Sequence, residues 1–227
     1  MSAKVAASIL SADLARLAEQ VKLVENHVDL LHIDVMDARF VPPLTVGPIV
    51  VESLRRVTDL PLHCHLQVER PRRLIEDFAA AGADIVTFHV EALLSAEAVT
   101  EAIRSARSLG LRPGLAVSPA TPAEAVFPYM EALDRVIVMS VQPGWAGQTF
   151  MEEALPKIEK VRSELERRRI SVDIEVDGGI DGATGRRCLS AGATVLAVAS
   201  SIFKAPDPAE AARELAALAA GRHGDGR

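Results

Sequence analysis

Short apolar runs rich in Val and Ile alternate along the chain with longer stretches in which apolar residues recur every three or four positions. The first pattern is that of strands buried on both faces, the second that of amphipathic helices packed against them. Eight runs of the first kind can be placed, at Val5–Ser8, Asp29–Asp34, Leu60–Leu66, Ile85–His89, Arg112–Ser118, Arg135–Ser140, Val172–Asp177 and Thr194–Ala199. Between them Leu14, Leu17, Val21 and Val24, and then Leu74, Phe78 and Ala81, mark apolar helix faces. Gly82, Gly110 and Gly192 stand just ahead of strands, where a helix end favours a residue at ease with positive φ. Repeated βα units predict a parallel sheet, and eight strands close a (β/α)8 TIM barrel. The rival is an open doubly wound sheet, which would usually carry a Gly-rich phosphate turn after strand 1. Here strand 1 runs into Ser8-Ile9-Leu10-Ser11, and the Gly-rich turns follow strands 6 and 7. No linker or shift of composition divides the chain, so the reading is one barrel domain over 1–220 with 221–227 as a flexible C-terminal tail.

A length of 227 residues suits one such barrel, and 49% hydrophobic with 25% charged residues is the balance of an ordinary soluble protein. Lys and Arg number 25 against 31 Asp and Glu, a net charge of −6, which excludes the basic surface that nucleic acid requires. The apolar run Val5–Leu10 is too short for a signal-peptide core or a membrane span, so the expectation is a cytoplasmic protein with no membrane partner. Cys64 and Cys188 offer neither a disulfide framework nor a C-x-x-C motif and read as reduced thiols.

Reacting groups in a parallel barrel come from strand C-termini and the loops that follow. Ser8, His32, Asp34, His63, His65, His89, Ser118 and Asp177 fall there, including four of the six histidines. Alternation along a strand puts His32 and Asp34 on one side, and likewise His63 and His65. If that side is the interior, imidazoles and carboxylates converge as a divalent-metal site; for one His-x-Asp alone, a buried polar network is an equal reading. A phosphate site is suggested by Pro143–Gln148 after strand 6, Asp177–Ile180 after strand 7 and Ala199–Ser201 after strand 8, since glycines let backbone amides approach an anion. The five lysines, Lys4, Lys22, Lys157, Lys160 and Lys204, read as surface charges, which leaves no Schiff-base lysine at the mouth. A Gly-x-Ser-x-Gly elbow and a P-loop are both absent.

The blocks Ser8-Ile-Leu-Ser-Ala-Asp13, Leu31-His-Ile-Asp-Val-Met-Asp37, His65-Leu66, Val138-Met-Ser-Val-Gln-Pro-Gly144 and Glu175-Val-Asp-Gly-Gly-Ile180 resemble, in order, the ribulose-phosphate 3-epimerase family. The resemblance implies a metal-dependent isomerase that inverts carbon 3 of a ketopentose phosphate, exchanging D-ribulose 5-phosphate and D-xylulose 5-phosphate through an enediolate. It implies one divalent metal, zinc or else Fe(II), Mn or Co, held by His32, Asp34, His65 and Asp177, with Asp34 and Asp177 as the two acid/base groups. Substrate contacts implied by the match are Ser8, His65, Gly144, Trp145, Ala146, Gly147, Gly178, Gly179, Ala199 and Ser200, and the assembly implied is a homo-oligomer. Removing a proton on one face and returning it on the other suits two carboxylates.

The match departs from the family pattern at Ala38, Pro43, His63, Gln67, Ala146 and Ala199. Gln67 replaces one methionine of a cap whose other members are Met36 and Met139, and His63 replaces a carboxylate. These four positions are candidates for specificity, with Gln67 donating to a substrate hydroxyl and His63 orienting His65 or serving as an extra ligand. Ala146 and Ala199 stand where glycine is usual and would be strained if φ were positive there. The loop from Val141 to Phe150 reads as a lid or as a rigid turn with a packed Trp145. Alternatives to the default activity are a paralogue acting on another ketose phosphate and a catalytically silent ligand-binding barrel.

Overall fold

Eight strands, β1 (Lys4–Ser8), β2 (Leu30–Met36), β3 (Leu62–Gln67), β4 (Ile85–His89), β5 (Arg112–Val117), β6 (Arg135–Met139), β7 (Asp173–Asp177) and β8 (Val195–Val198), pair in parallel in chain order, and β8 closes on β1. The structure is a computed structural model that describes residues 2–221. It is a (β/α)8 barrel, and each strand lies within two residues of the position expected from the sequence. The helices are α1 (Leu17–Val24), α2 (Pro48–Arg55), α3 (Ile75–Ala80), α4 (Ala96–Ser108), α5 (Ala154–Arg168), α6 (Gly182–Ala191), α7 (Ser200–Phe203) and α8 (Pro208–Ala220). The β5–β6 connection is instead a 3-10 helix, Ala123–Ala132, with Pro128 inside it. A proline there removes an N–H and crowds the preceding turn, which disfavours an α-helix. Gly221 caps α8, and the rest of the anticipated tail lies outside the described residues.

Alternation sorts the strand residues into two environments. Leu31, Ile33, Cys64, Leu66, Val136, Val138, Ile174 and Val176 face outward and are buried under the helices, against residues such as Val21, Leu54, Phe78 and Val161. The inward residues form an apolar floor of Ala6, Leu30, Ile85 and Val195. Above it the interior is ionic: His32, Asp34, His63, His65, Thr87, His89, Arg135 and Glu175 are all buried. Barrel interiors are ordinarily filled by branched apolar side chains, so this polar layer needs a chemical explanation.

The lysines are not all surface charges. Lys157 on α5 is half-buried and donates to the carbonyls of Ser118, Pro119 and Thr121 at 3.0, 2.5 and 2.6 Å, which pins the loop after β5. Lys4 pairs with Asp173 at 2.9 Å. Neither lies among the residues that line the cavity at the barrel mouth.

Candidate active site

The β2–β3 register sets His32 beside His63, Asp34 beside His65 and Met36 beside Gln67, while β6–β7 pairing sets Met139 beside Asp177. These rungs bring four ligand atoms together. His32 Nε2 lies 3.2 Å from Asp34 Oδ1 and 3.6 Å from Asp177 Oδ2, and His65 Nδ1 lies 3.3 and 3.4 Å from the same two oxygens. The edge of a tetrahedron is about 1.6 times its centre-to-corner distance, so these spacings suit an ion with bonds of roughly 2.0–2.1 Å.

The hydrogen bonds behind the two imidazoles determine where their protons sit. His32 Nδ1 is 2.7 Å from the Glu175 carboxylate, an acceptor only, so the Nδ1–H donates there and Nε2 faces the site. His89 Nδ1 is 3.1 Å from Glu91, so it too carries the proton; His89 Nε2 then accepts from His65 Nε2 at 3.0 Å, and His65 Nδ1 faces the site. Two nitrogen lone pairs and two carboxylates thus converge, a donor set that requires a cation or bound protons. Burial opposes charge on His32 and on His65. On His32 the attraction of Asp34, Glu175 and Asp177 outweighs it, and on His65 hydrogen bonds to Asp177 and Asp34 do, so both pKa values rise.

The two aspartates are unlike. Burial pushes the Asp34 carboxyl up, but His32 and His65 outweigh it and hold the group far below its usual range. Ser8 Oγ donates to its Oδ2 at 2.7 Å and Gln67 Nε2 to its Oδ1 at 2.7 Å. Asp177 is raised, by burial and then by repulsion from Asp34. Two carboxyl groups that share one buried site are driven apart in this way, one held down by the neighbouring imidazoles and the other pushed up by its partner's charge.

Beneath lies a second layer. Glu175 is paired with Arg135, whose Nη1 is also 3.1 Å from His63 Nδ1 and whose Nη2 is 3.2 Å from Asp173. His63 accepts from Arg135 and donates through Nε2 to Thr87 Oγ1 at 2.8 Å; burial lowers its pKa to about 3, so it is neutral. His32, His63 and Glu175 also lie close enough to hold an ion. The guanidinium already supplies a cation to the last two.

A cavity opens over Asp34 and Asp177. Ser8, Met36, Gln67, Met139, Gly144, Trp145, Ala146, Gly147, Gly178, Gly179, Ala199 and Ser200 line it. Gly178 and Gly179 have φ of 115° and 64°, and a Cβ on Gly179 would stand 2.7 Å from Phe150 N, while one on Gly178 would overlap Val141. Only glycine lets the loop after β7 pass this close to the loop after β6. Asp181 then starts α6 with a capping box shared with Thr184.

Residues 4–203 match the Ribulose-phosphate 3 epimerase family. The chain belongs to this family. It is 43% identical over 214 residues to "Ribulose-5-phosphate-3-epimerase, chloroplastic" of Arabidopsis thaliana, covering 94% of this chain and 76% of that one. It is 42% identical over 214 residues to "Ribulose-phosphate 3-epimerase" of Bacillus subtilis, covering 93% and 97%. Among solved structures, KGPDC from Streptococcus mutans superposes with a TM-score of 0.74 at 18% identity over 96% of this chain and 97% of its own, a likeness of fold alone. The chain is therefore an epimerase, an isomerase, and the silent-barrel alternative falls away.

The departures from the family pattern fall out differently from what the sequence suggested. His63 is not among the residues that line the cavity; it packs edge-on against His32 and hydrogen-bonds Arg135 and Thr87 in the Arg135–Glu175 layer. Ala146 is not at positive φ and Ala199 has φ −105°, so neither is strained. The strain sits at Ala38, φ 57°, in the turn after β2. Trp145 is not packed: it is 63% exposed at the cavity rim, and the loop is braced by Gln148 Nε2, which donates to the Gln142 and Trp145 carbonyls. Gln67 gives its N–H to Asp34, not outward. Glu175, Arg135 and Glu91 were not anticipated as site residues. The alternation in Asp173-Ile-Glu-Val-Asp177 places Glu175 on the side of Asp177, and that in Arg135-Val-Ile-Val-Met139 places Arg135 on the side of Met139.

Proposed function

We propose that the chain is a metal-dependent 3-epimerase that interconverts D-ribulose 5-phosphate and D-xylulose 5-phosphate by two-base proton transfer. The observation that carries this reading is the unlike pair Asp34 and Asp177 at the floor of a cavity whose wall is built by the loops after β6, β7 and β8. His32, His65, Asp34 and Asp177 would hold one divalent ion, zinc or else Fe(II), Mn or Co, as the converging lone pairs and their spacing support. Bound there, a metal supplies Lewis-acid stabilisation of the charge that develops on the substrate's carbonyl oxygen, which is worth several kcal/mol.

The chain's own residues do the rest. Asp34 takes the proton from carbon 3 and Asp177 delivers one to the opposite face of the enediolate; in the reverse reaction the roles exchange. Ser8 and Gln67 fix the Asp34 carboxylate from two sides. Gly144–Gly147, Gly178, Gly179, Ala199 and Ser200 bind the phosphate end, and Met36 and Met139 keep water from the reacting carbons. A homo-oligomer in the cytoplasm completes the reading; relatives include a "cytoplasmic isoform" of Oryza sativa, and the exposed Leu44 and Ile49 offer apolar surface for association. No helix among the described residues is long and apolar enough to cross a membrane.

Turnover of ribulose 5-phosphate tests the reading. Asp34→Asn and Asp177→Asn should each lose about 100-fold or more. Chelation should abolish turnover and added metal restore it. Wild-type rates in either variant would overturn the assignment.

A further inference from the structure

Gln67 carries an unused acceptor. It is 1% exposed and lies in the cavity wall, and its Oε1 is buried without a hydrogen-bond partner. The amide orientation is not free: Nε2 stands 2.7 Å from Asp34 Oδ1, and a flipped amide would set oxygen against oxygen. The amide nitrogen is thus committed to Asp34 and the carbonyl oxygen is left over. A buried amide oxygen with no partner costs roughly as much as a lost hydrogen bond, so a side chain kept in this state is one whose partner arrives with the ligand.

Its place in the barrel identifies that partner. β3 lies four strands from β7 around the ring, across the mouth from the glycine loops after β6, β7 and β8. A ketose phosphate anchored by its 5-phosphate at those loops, with carbon 3 between Asp34 and Asp177, extends carbon 1 toward β3. We propose that Gln67 Oε1 accepts a hydrogen bond from the carbon-1 hydroxyl of the bound ketose phosphate, so that the site reads the hydroxymethyl end of the sugar as well as its phosphate. This rests on the epimerase reading above. It also reverses the role that the sequence suggested for this side chain, from donor to acceptor.

The test compares D-xylulose 5-phosphate with its 1-deoxy analogue, following exchange at carbon 3 in deuterium oxide for the metal-loaded parent and for Gln67→Met. Loss of the Asp34 hydrogen bond in the variant slows both sugars alike and cancels in the ratio of their kcat/KM values. The parent should prefer the hydroxylated sugar by about tenfold or more, and Gln67→Met should compress that preference by roughly tenfold, the worth of one hydrogen bond whose loss leaves a group unpaired. If turnover of the variant is too slow to follow, the ratio of dissociation constants for the same two sugars, by calorimetry, is read in the same way. An identical ratio in parent and variant overturns the assignment while leaving the epimerase reading intact. A parent that exchanges neither sugar overturns the epimerase reading, and the assignment with it.

Discussion

Glu175→Gln removes the charge that joins the two buried layers. Glu175 and His32 are fully buried and Arg135 is 2% exposed, so the change leaves a guanidinium without its main counter-ion in the barrel interior. Breaking a buried pair from one side costs about 3–5 kcal/mol. Asp173, 3.2 Å from the other guanidinium nitrogen, moderates this, and the expected loss is about 3 kcal/mol. Replacing both partners by uncharged groups is far milder, so the double variant Glu175→Gln/Arg135→Met should be less destabilised than the sum of the singles by about 1–2 kcal/mol. Urea unfolding of chelator-treated protein measures this without a contribution from bound metal. The same single variant should bind zinc about 10–100-fold more weakly in competition with a chromophoric chelator, because His32 loses the partner that holds its Nδ1 proton. A loss below about 1 kcal/mol in Glu175→Gln, or strict additivity in the double variant, would refute the reasoning.

Ala38→Gly should stabilise the protein by about 0.5–1 kcal/mol, a rise in Tm of roughly 2 °C, because relief of a left-handed alanine exceeds the added freedom of the unfolded chain. Gly178→Ala should cost about 1–3 kcal/mol and displace the loop after β6, since the new methyl overlaps Val141; an unchanged denaturation midpoint would count against the close approach described. Glu91 is 26% exposed, and hydrogen bonds from His89, Thr121 and the Ser118 amide outweigh burial and hold its carboxyl near 2, below the ordinary 4.5. As pH falls the unfolded chain takes up this proton first, so the stabilisation is complete above about pH 4.5 and lost toward pH 2. The parent should exceed Glu91→Gln by about 2 kcal/mol at neutral pH, with the gap closing through that window. A gap independent of pH would contradict it.

The barrel was legible because its two periods differ. Alternation and apolar runs marked every strand, and the same alternation paired His32 with Asp34 and His63 with His65 on their strands; it did not separate His63 from His65, and the family resemblance singled out His65 for the candidate cluster. Asp177 followed from its place at the end of β7. The layer below was not legible. Arg135 begins its strand, where a charged residue normally flanks the sheet, and it is the β6–β7 register, which sets Arg135 beside Asp173, that brings it to Glu175, 40 residues away. For His63, alternation gave its side of the strand but not its depth, and depth separates a cavity wall from a buried ion-pair layer. The φ of Ala38, Ala146 and Ala199 depends on how each loop is folded back, as through the Ala38–Pro43 hydrogen bond, which no local residue pattern specifies.

The central claim is that Asp34 and Asp177 serve opposite faces of carbon 3. Conversion of ribulose 5-phosphate by the metal-loaded protein in deuterium oxide, stopped at low conversion and read by NMR at carbon 3 of the xylulose 5-phosphate formed, tests it most directly. Two separate bases deliver a proton that has equilibrated with solvent, so the product should be fully deuterated at carbon 3 from the first turnovers. Product that retains the substrate's own protium would mean that one group removes and returns the same proton, and would contradict the account.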